Sequence, residues 1–520
     1  MGLSSGSNAS EAVKLCVFDL RRGQIEGQEL DKILFFYPVD LPFTTQLSVT
    51  GLSEGLISFT RIFSPEAACD VIEAEMHSHV FYEAEPDIWM VMIVEKSKES
   101  EAIWRIDALQ RVLKEVHSLF VMFHGSVRTL VDKEPTGGFV RRHLYYFIMD
   151  YLSVAVETFD LFFIGKKLQL PNFRDSLKER GTVQMLTVGR EAAIDVQSLV
   201  RVLESCAGNS MCYSLTMFQD LLVSTTLSPD DTVNLYSYAV LRLTPQALSY
   251  GVSSWSYLRK GGTACNTSAG ALLANSCPSV DQYYNSGDTS PVGNHSYHVV
   301  RPLQHDKWSR GKDGFLVTDI WGAEFGSSIP TSPTICLKHK EERMYLCAYQ
   351  LHSLTVILLI PVSSILDGMQ GIAMVKQQIL ENASLKMFKV EEKLSRGWGG
   401  ENAYHVRGYR YLLVDGDRYI SRASPPGKVT TLTKDSLIAL SKLREEVDSE
   451  KIRANFDGLG HEKDLEVCIR AKNNAWIIAQ LTRGKELYMV LEKANETLLY
   501  ASDAVEKFSD RYCNGAFSLE

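Results

Sequence analysis

Two imidazoles separated by one residue, His77 and His79, lie among four carboxylates, Glu73, Glu75, Glu83 and Glu85. On a strand, alternate side chains share a face, so both histidines could meet one metal ion and paired carboxylates could divide acid and base work. Two ligands are too few for a metal site, and the acids have no pocket-forming context. A solvent-facing histidine pair on a polar sheet face is therefore expected. The catalytic signatures are absent: no Gly-x-Ser-x-Gly elbow, no phosphate-cradling Gly-rich loop, no His-Glu-x-x-His and no Gly-x-Gly-x-x-Gly. Ten cysteines form no Cys-x-x-Cys pair and no Cys/His group at zinc-ligand spacing, which points to reduced, mostly buried thiols. The expectation is a protein without a catalytic residue, a metal or a cofactor.

The elements that would position these residues recur in one order, ββαβββα, three times. In the first copy, strands are read at Lys14 to Leu20 and Asp31 to Tyr37, and an amphipathic helix near Thr45 to Ser64. A meander follows at Asp70 to Met76, Val80 to Glu83 and Ile88 to Glu95, then a helix over Ile103 to Phe123. The second copy has strands at Cys212 to Phe218 and Leu221 to Thr226, with a helix from Pro229 to Leu243 capped by Ser228. Its meander is displaced to Thr334 to Lys340, Arg343 to Leu351 and Leu354 to Ile360, and its last helix fills most of Ser364 to Leu394. The third copy reads Tyr404 to Val414, Arg418 to Ser421, a helix from Lys434 to Ser449, then Leu465 to Ala471, Ala475 to Leu481 and Glu486 to Leu491. A closing helix carries Leu498, Ala501, Val505, Phe508 and Tyr512 at helical spacing, with Asn495 as cap and Gly515 as stop. Five-stranded, mostly antiparallel sheets with flanking helices are α+β domains, and 520 residues accommodate three of them.

Composition narrows the partners. A net charge of -9 and a pI near 5.8 provide no basic field for nucleic acid, and basic clusters such as Arg105 to Lys114 and Arg141–Arg142 read as solvated helix faces. No apolar stretch reaches the length of a membrane span. Met1 to Glu11 lacks a signal-peptide pattern, so the five Asn-x-Ser/Thr sequons are discounted, and Met1–Gly2 only weakly resembles a myristoylation signal. Between Gly251 and Gly314 the chain turns to Ser, Gly, Asn and Tyr. It reads as a disordered insert, tolerated because loop closure entropy grows slowly with length.

The first helix carries the most information. Val49, Leu52, Leu56, Phe59 and Phe63 recur at three and four residues, which predicts one stripe against the underlying sheet. Beside it, Ser48, Gly51, Gly55, Ser58 and Ile62 form a mostly small strip where a second backbone could approach closely. Each mid-helix glycine costs about 1 kcal/mol relative to alanine, so two of them suggest a compensating contact. The alternative is a helix that begins only near Leu52, with Gly51 in the preceding turn. Pro65 stops the helix in either case.

Four segments resemble a known family. GQELDKILFFYP (Gly27 to Pro38), GLSEGLISFTRIFSPE (Gly51 to Glu66), IWMVMIVEK (Ile88 to Lys96) and AWIIAQLTRGKELYMVLEK (Ala475 to Lys493) are similar to blocks of the CCZ family of vacuolar fusion proteins, the plant members most closely. The resemblance implies three longin-like domains, with expected bounds 13–156, 157–398 with the insert at about 251–314, and 399–520, after a flexible 1–12. It also implies an obligate MON-family partner, with which the chain would form a guanine-nucleotide exchange factor for a late-endosomal Rab GTPase of the Rab-seven class. Recruitment to late endosome and vacuole would then be peripheral, through the partner, an upstream endosomal Rab or anionic lipid. A longin scaffold or Rab effector without exchange activity remains the alternative. The pairing or docking surface is placed on the first helix at Leu47, Ser48, Gly51, Leu52, Gly55, Ser58, Phe59 and Ile62, with Glu54 and Arg61 on its polar side.

Overall fold

A computed structural model describes residues 13–65, 69–75, 77–95, 106–134, 136–162, 182–186, 188–207, 212–245, 247–248, 308–318, 332–338, 342–365, 368–400, 409–424, 433–456, 465–482, 484–491 and 497–512. Strands β1 (Val13–Asp19) and β2 (Ile33–Tyr37) are followed by helix α1 (Phe43–Phe63). Next come β3 (Val71–Glu73), β4 (His77–Glu85) and β5 (Ile88–Glu95). The five strands pair antiparallel in the order β2-β1-β5-β4-β3. Central strands are covered on both faces, which is why they read as unbroken apolar runs. Cys16, Phe18, Trp89, Val91 and Ile93 pack with Ile57 of α1. By alternation, Leu15, Val17, Met90, Met92 and Val94 line the opposite face, where α2 (Ile106–His124) and α4 (Gly138–Phe162) pack.

The repeated ββαβββα order has no place for helices after α2, but two more follow within the expected bounds of this domain. Gly125, at φ +84°, terminates α2, and the Ser126 hydroxyl accepts the Thr129 amide to start α3 (Val127–Lys133). The basic pair Arg141–Arg142 in α4 is not simply a solvated face. Arg141 is buried, donating to the carbonyls of Ile33, Asp31 and Thr136 and to the Asp31 carboxylate. Its charge is neutralised by groups more than a hundred residues earlier, which no local pattern reveals.

Further along are β6 (Val183–Gln184), α5 (Arg190–Cys206), β7 (Tyr213–Phe218), β8 (Leu221–Thr225) and α6 (Pro229–Arg242). The expected cap of α6 is present: the Ser228 hydroxyl accepts the Asp231 amide at 3.3 Å and donates to the Asp231 carboxylate at 2.7 Å. The predicted insert is shortened at its end. Trp308–Arg310 forms β9 and pairs with β10 (Leu316–Thr318), because Trp308, Phe315 and Leu316 supply buried apolar anchors that average composition conceals. Residues 251–307 lie outside the described set, as do Met1–Gly2, Asn495 and Gly515.

The second sheet adds β11 (Thr334–Cys336), β12 (Arg343–Leu351) and β13 (Leu354–Pro361), in the order β11-β12-β13-β7-β8. Helix α7 (Met369–Gly400) packs along α5, where Lys386 donates to Ser198 at 2.8 Å and Lys393 pairs with Asp195. The third sheet follows the expected order with β14 (Tyr409–Asp415), β15 (Ile420–Ala423), α8 (Lys434–Phe456), β16 (Leu465–Arg470), β17 (Trp476–Thr482), β18 (Lys485–Leu491) and α9 (Leu498–Tyr512). Its order is β16-β17-β18-β14-β15-β6, so it holds a sixth strand, parallel to β15. Thr497, whose hydroxyl accepts the Tyr500 amide, caps α9. The chain divides into two compact units, one built on the first sheet and the other on β6 to β8 and β13 to β18.

Candidate functional site

Helix α1 is continuous from Phe43 to Phe63, so Gly51 and Gly55 are both mid-helix, and it stops one residue before Ser64–Pro65. Its rotation differs from the sequence expectation. The buried face is Gln46, Thr50, Ser53 and Ile57, flanked by half-buried Leu47, Val49 and Leu56. Leu52, Phe59 and Phe63, expected against the sheet, are 54 %, 58 % and 73 % exposed. Most of the polar groups on the buried face find backbone acceptors. Gln46 donates to the Leu41 carbonyl, Ser53 to that of Val49, and half-buried Thr60 to those of Leu56 and Ile57. Such side chains are compact once satisfied, and the helix settles on them.

The outward face is consequently open. Ser48, Gly51, Gly55 and Ser58 are exposed, and a Cβ built at either glycine meets no atom within 4 Å. Ile62 is 73 % exposed, and the Phe59 and Phe63 rings meet edge to face at 5.0 Å. Small and large apolar residues thus share one continuous surface. Leu47 lies half-buried beside the core rather than on this face. Glu54 is paired with Lys32, and Arg61 donates to Glu83 at 3.1 Å while its guanidinium lies over the Trp89 ring. These two ion pairs fix α1 to the 3-10 turn before β2 and to β4, forming a polar rim. Phe63, which is not among the expected docking residues, lies on the same exposed face at a spacing of four from Phe59.

Of the acids of the meander, Glu73 and Glu75 are exposed on the expected polar face, whereas Glu83 and Glu85 and the buried histidine have structural roles. His79 is buried with its ring stacked on Phe81 while His77 is half-buried, so the expected solvent-facing pair is not formed by both, and burial beside His77 and Lys14 lowers the His79 pKa. Glu85 is enclosed as well. It accepts the Ser126 hydroxyl, the Val127 and Arg128 amides and His117 Nε2, at 2.7 to 3.2 Å, and so caps α3. Burial pushes the Glu85 pKa up, but these donors outweigh it and hold the carboxyl below the usual range. Among the described residues no group of three or more His, Cys, Asp or Glu is placed to hold a metal ion. Seven described cysteines are free, and burial raises the thiol pKa of Cys16 to about 12 and those of Cys212 and Cys468 to about 11.

Two further histidines make the first domain acid-sensitive. His124 is partly exposed as a residue, but its Nε2 is enclosed, and burial near His143 and Arg343 pushes its pKa down to about 3. Buried His143, whose Nδ1 donates to the Phe139 carbonyl, is also lowered. Below pH about 6.5 the unfolded chain binds a proton that folded His124 refuses, so stability falls as pH drops from there toward about 3, by up to about 1.4 kcal/mol per pH unit, and the lowered His143 acts in the same direction. Urea midpoints of this unit should therefore be lower at pH 5.5 than at pH 7.5, and His124→Leu should flatten the difference.

Residues 14–125, the span that contains α1, match the family model described as the first longin domain of INTU, CCZ1 and HPS4. The chain is 66 % identical over 522 residues to vacuolar fusion protein CCZ1 homolog B of Arabidopsis thaliana, covering 100 % of both. It is 59 % identical over 520 residues to the Oryza sativa homolog, again covering 100 % of both. The Nematostella vectensis homolog is 21 % identical over 98 % of each chain. With full-length identity at this level to plant vacuolar fusion proteins, and with sheet and helix orders that follow the longin pattern, the chain belongs to the CCZ1 family.

Proposed function

We propose that this chain is one subunit of a heterodimeric guanine-nucleotide exchange factor, pairing with a MON-family protein to activate a late-endosomal Rab GTPase of the Rab-seven class. The observation that carries the reading is the outward face of α1, with Leu52, Phe59, Ile62 and Phe63 exposed beside a strip of Ser48, Gly51, Gly55 and Ser58. Burying one large apolar side chain is worth about 1.5–3 kcal/mol, so leaving four exposed on one helix forgoes a sum that a partner would recover. Exchange suits such a surface because it requires no nucleophile or base. The factor binds the nucleotide-free GTPase more tightly than the loaded one, and by reciprocity lowers nucleotide affinity. Remodelling a switch loop and its magnesium and phosphate contacts is the usual physical route.

Release of a fluorescent guanine nucleotide from the Rab, followed with the chain alone, the partner alone and both together, tests this. The pair should accelerate release on the order of ten- to a hundredfold over the Rab alone. Binding of the Rab by the pair with no acceleration would replace the exchange reading with that of a scaffold or effector. The same mixtures with vesicles bearing anionic lipid test peripheral recruitment; no helix of the described residues is long and apolar enough to cross a membrane.

A further inference from the structure

Beyond β15 in the third sheet and β8 in the second, both edges are completed by the same four residues. From one side of Val183–Leu186, the Val183 amide donates to the Tyr419 carbonyl at 2.7 Å and the Met185 amide to that of Ser421 at 2.9 Å. From the other side, the Leu186 amide donates to the Leu222 carbonyl at 2.7 Å, and Met185 forms a parallel bridge with Leu222. Successive amides of an extended chain point to opposite edges, so one strand can serve two sheets. Thr182 adds a hydroxyl contact to Ser421 at 3.2 Å. Val183, Gln184, Met185 and Leu186 are all buried, as is Ser421, although the segment is only a single short strand.

We propose that Val183–Leu186 is a strap that makes the edges of the second and third sheets interdependent, so that loosening it on one side loosens the other and frees both edges at once. An unpaired sheet edge is a template for an incoming strand, and the strap keeps two such edges closed with residues of the chain itself. Two independent caps would need two segments, each responding only to its own sheet. A shared strand cannot be displaced from β15 while its register on β8 is kept, because Met185 contributes to both contacts.

Hydrogen exchange on the full chain, read by mass spectrometry over Ile420–Ala423 and Leu221–Thr225, tests the coupling. Met185→Pro removes the donor toward β15, and Leu186→Pro the donor toward β8. Each should lower protection in both strands by about five- to a hundredfold, the factor that corresponds to one buried carbonyl left unpaired, while β1 and β5 keep theirs. Loss confined to the strand that lost its donor would overturn the strap and leave two separate caps. If either proline variant fails to fold, Thr182→Val, which removes only the hydroxyl contact, should still lower protection in both strands, and an effect on Ile420–Ala423 alone would again overturn the proposal.

Discussion

Arg128→Met is expected to destabilise the first domain by about 3–5 kcal/mol, the largest effect of any single change considered, because it strands a carboxylate with no access to water. Asp19 is 0 % exposed, and Arg128 grips both its oxygens at 2.8 and 3.1 Å while donating to the Pro86 carbonyl at 2.8 Å. The remaining donor to Asp19 is the Arg21 amide at 3.0 Å, which cannot neutralise the charge. The pair joins the end of β1 to α3 across 109 residues, so the loss should be read in both elements. Domains of this size have about 5–15 kcal/mol in total, and a change of this magnitude should shift the urea midpoint of exchange protection in β1 and β5 well below that of the unchanged chain. Arg128→Lys should fall between, since an ammonium keeps the charge but not the two-pronged geometry. Asp19→Asn combined with Arg128→Met should recover part of the loss, because the stranded charge is gone. Equal midpoints for all four proteins would show that the pair contributes nothing.

Gly55→Leu should move stability and association in opposite directions. The substituent would project into open space from the interior of a long helix, and replacing a mid-helix glycine there should raise monomer stability by about 0.5–1 kcal/mol. If the small strip is where the MON-family protein or the GTPase packs, the same isobutyl group holds the partner away. Affinity should then fall by about thirtyfold or more, the loss that marks a central interface position. Melting temperature of the isolated chain and co-purification with the partner separate the two effects. A variant that is stabilised and still pairs normally would remove α1 from the interface.

Much of this molecule is local enough to be read directly. The strand at Ile88–Glu95 and the helix starting at Pro229 are where the residues place them, because apolar period and capping chemistry act over a few neighbours. The end of α1 is equally legible, since the residue before Pro65 avoids the helical region, whereas its start, left open between Thr45 and Leu52, lies at Phe43. The orientation of the helix was not legible. Counting apolar residues favoured the stripe of Leu52, Phe59 and Phe63, but the helix rests on Gln46, Thr50, Ser53 and Ile57, three of which are polar. Burying a polar side chain costs little once it has partners, and for Gln46 and Ser53 the partners are carbonyls of the same helix or the turn before it.

The same limit governs the charged residues. Arg141, Glu85 and His79 read as surface groups, and they and Asp19 are enclosed or nearly so. What made their burial affordable lies far along the chain: Asp31 for Arg141, Arg128 for Asp19, and the start of α3 for Glu85. The sequence by itself determined the α+β class, the main strands of three sheets with the helices that alternate with them, the family and the singular composition of α1, because periodicity, turns and caps are short-range. Only the tertiary structure decided which side of α1 faces outward, which charges are neutralised inside, and that Val183–Leu186 closes two sheets at once. Each of these depends on a contact whose two halves are brought together only when the chain has folded.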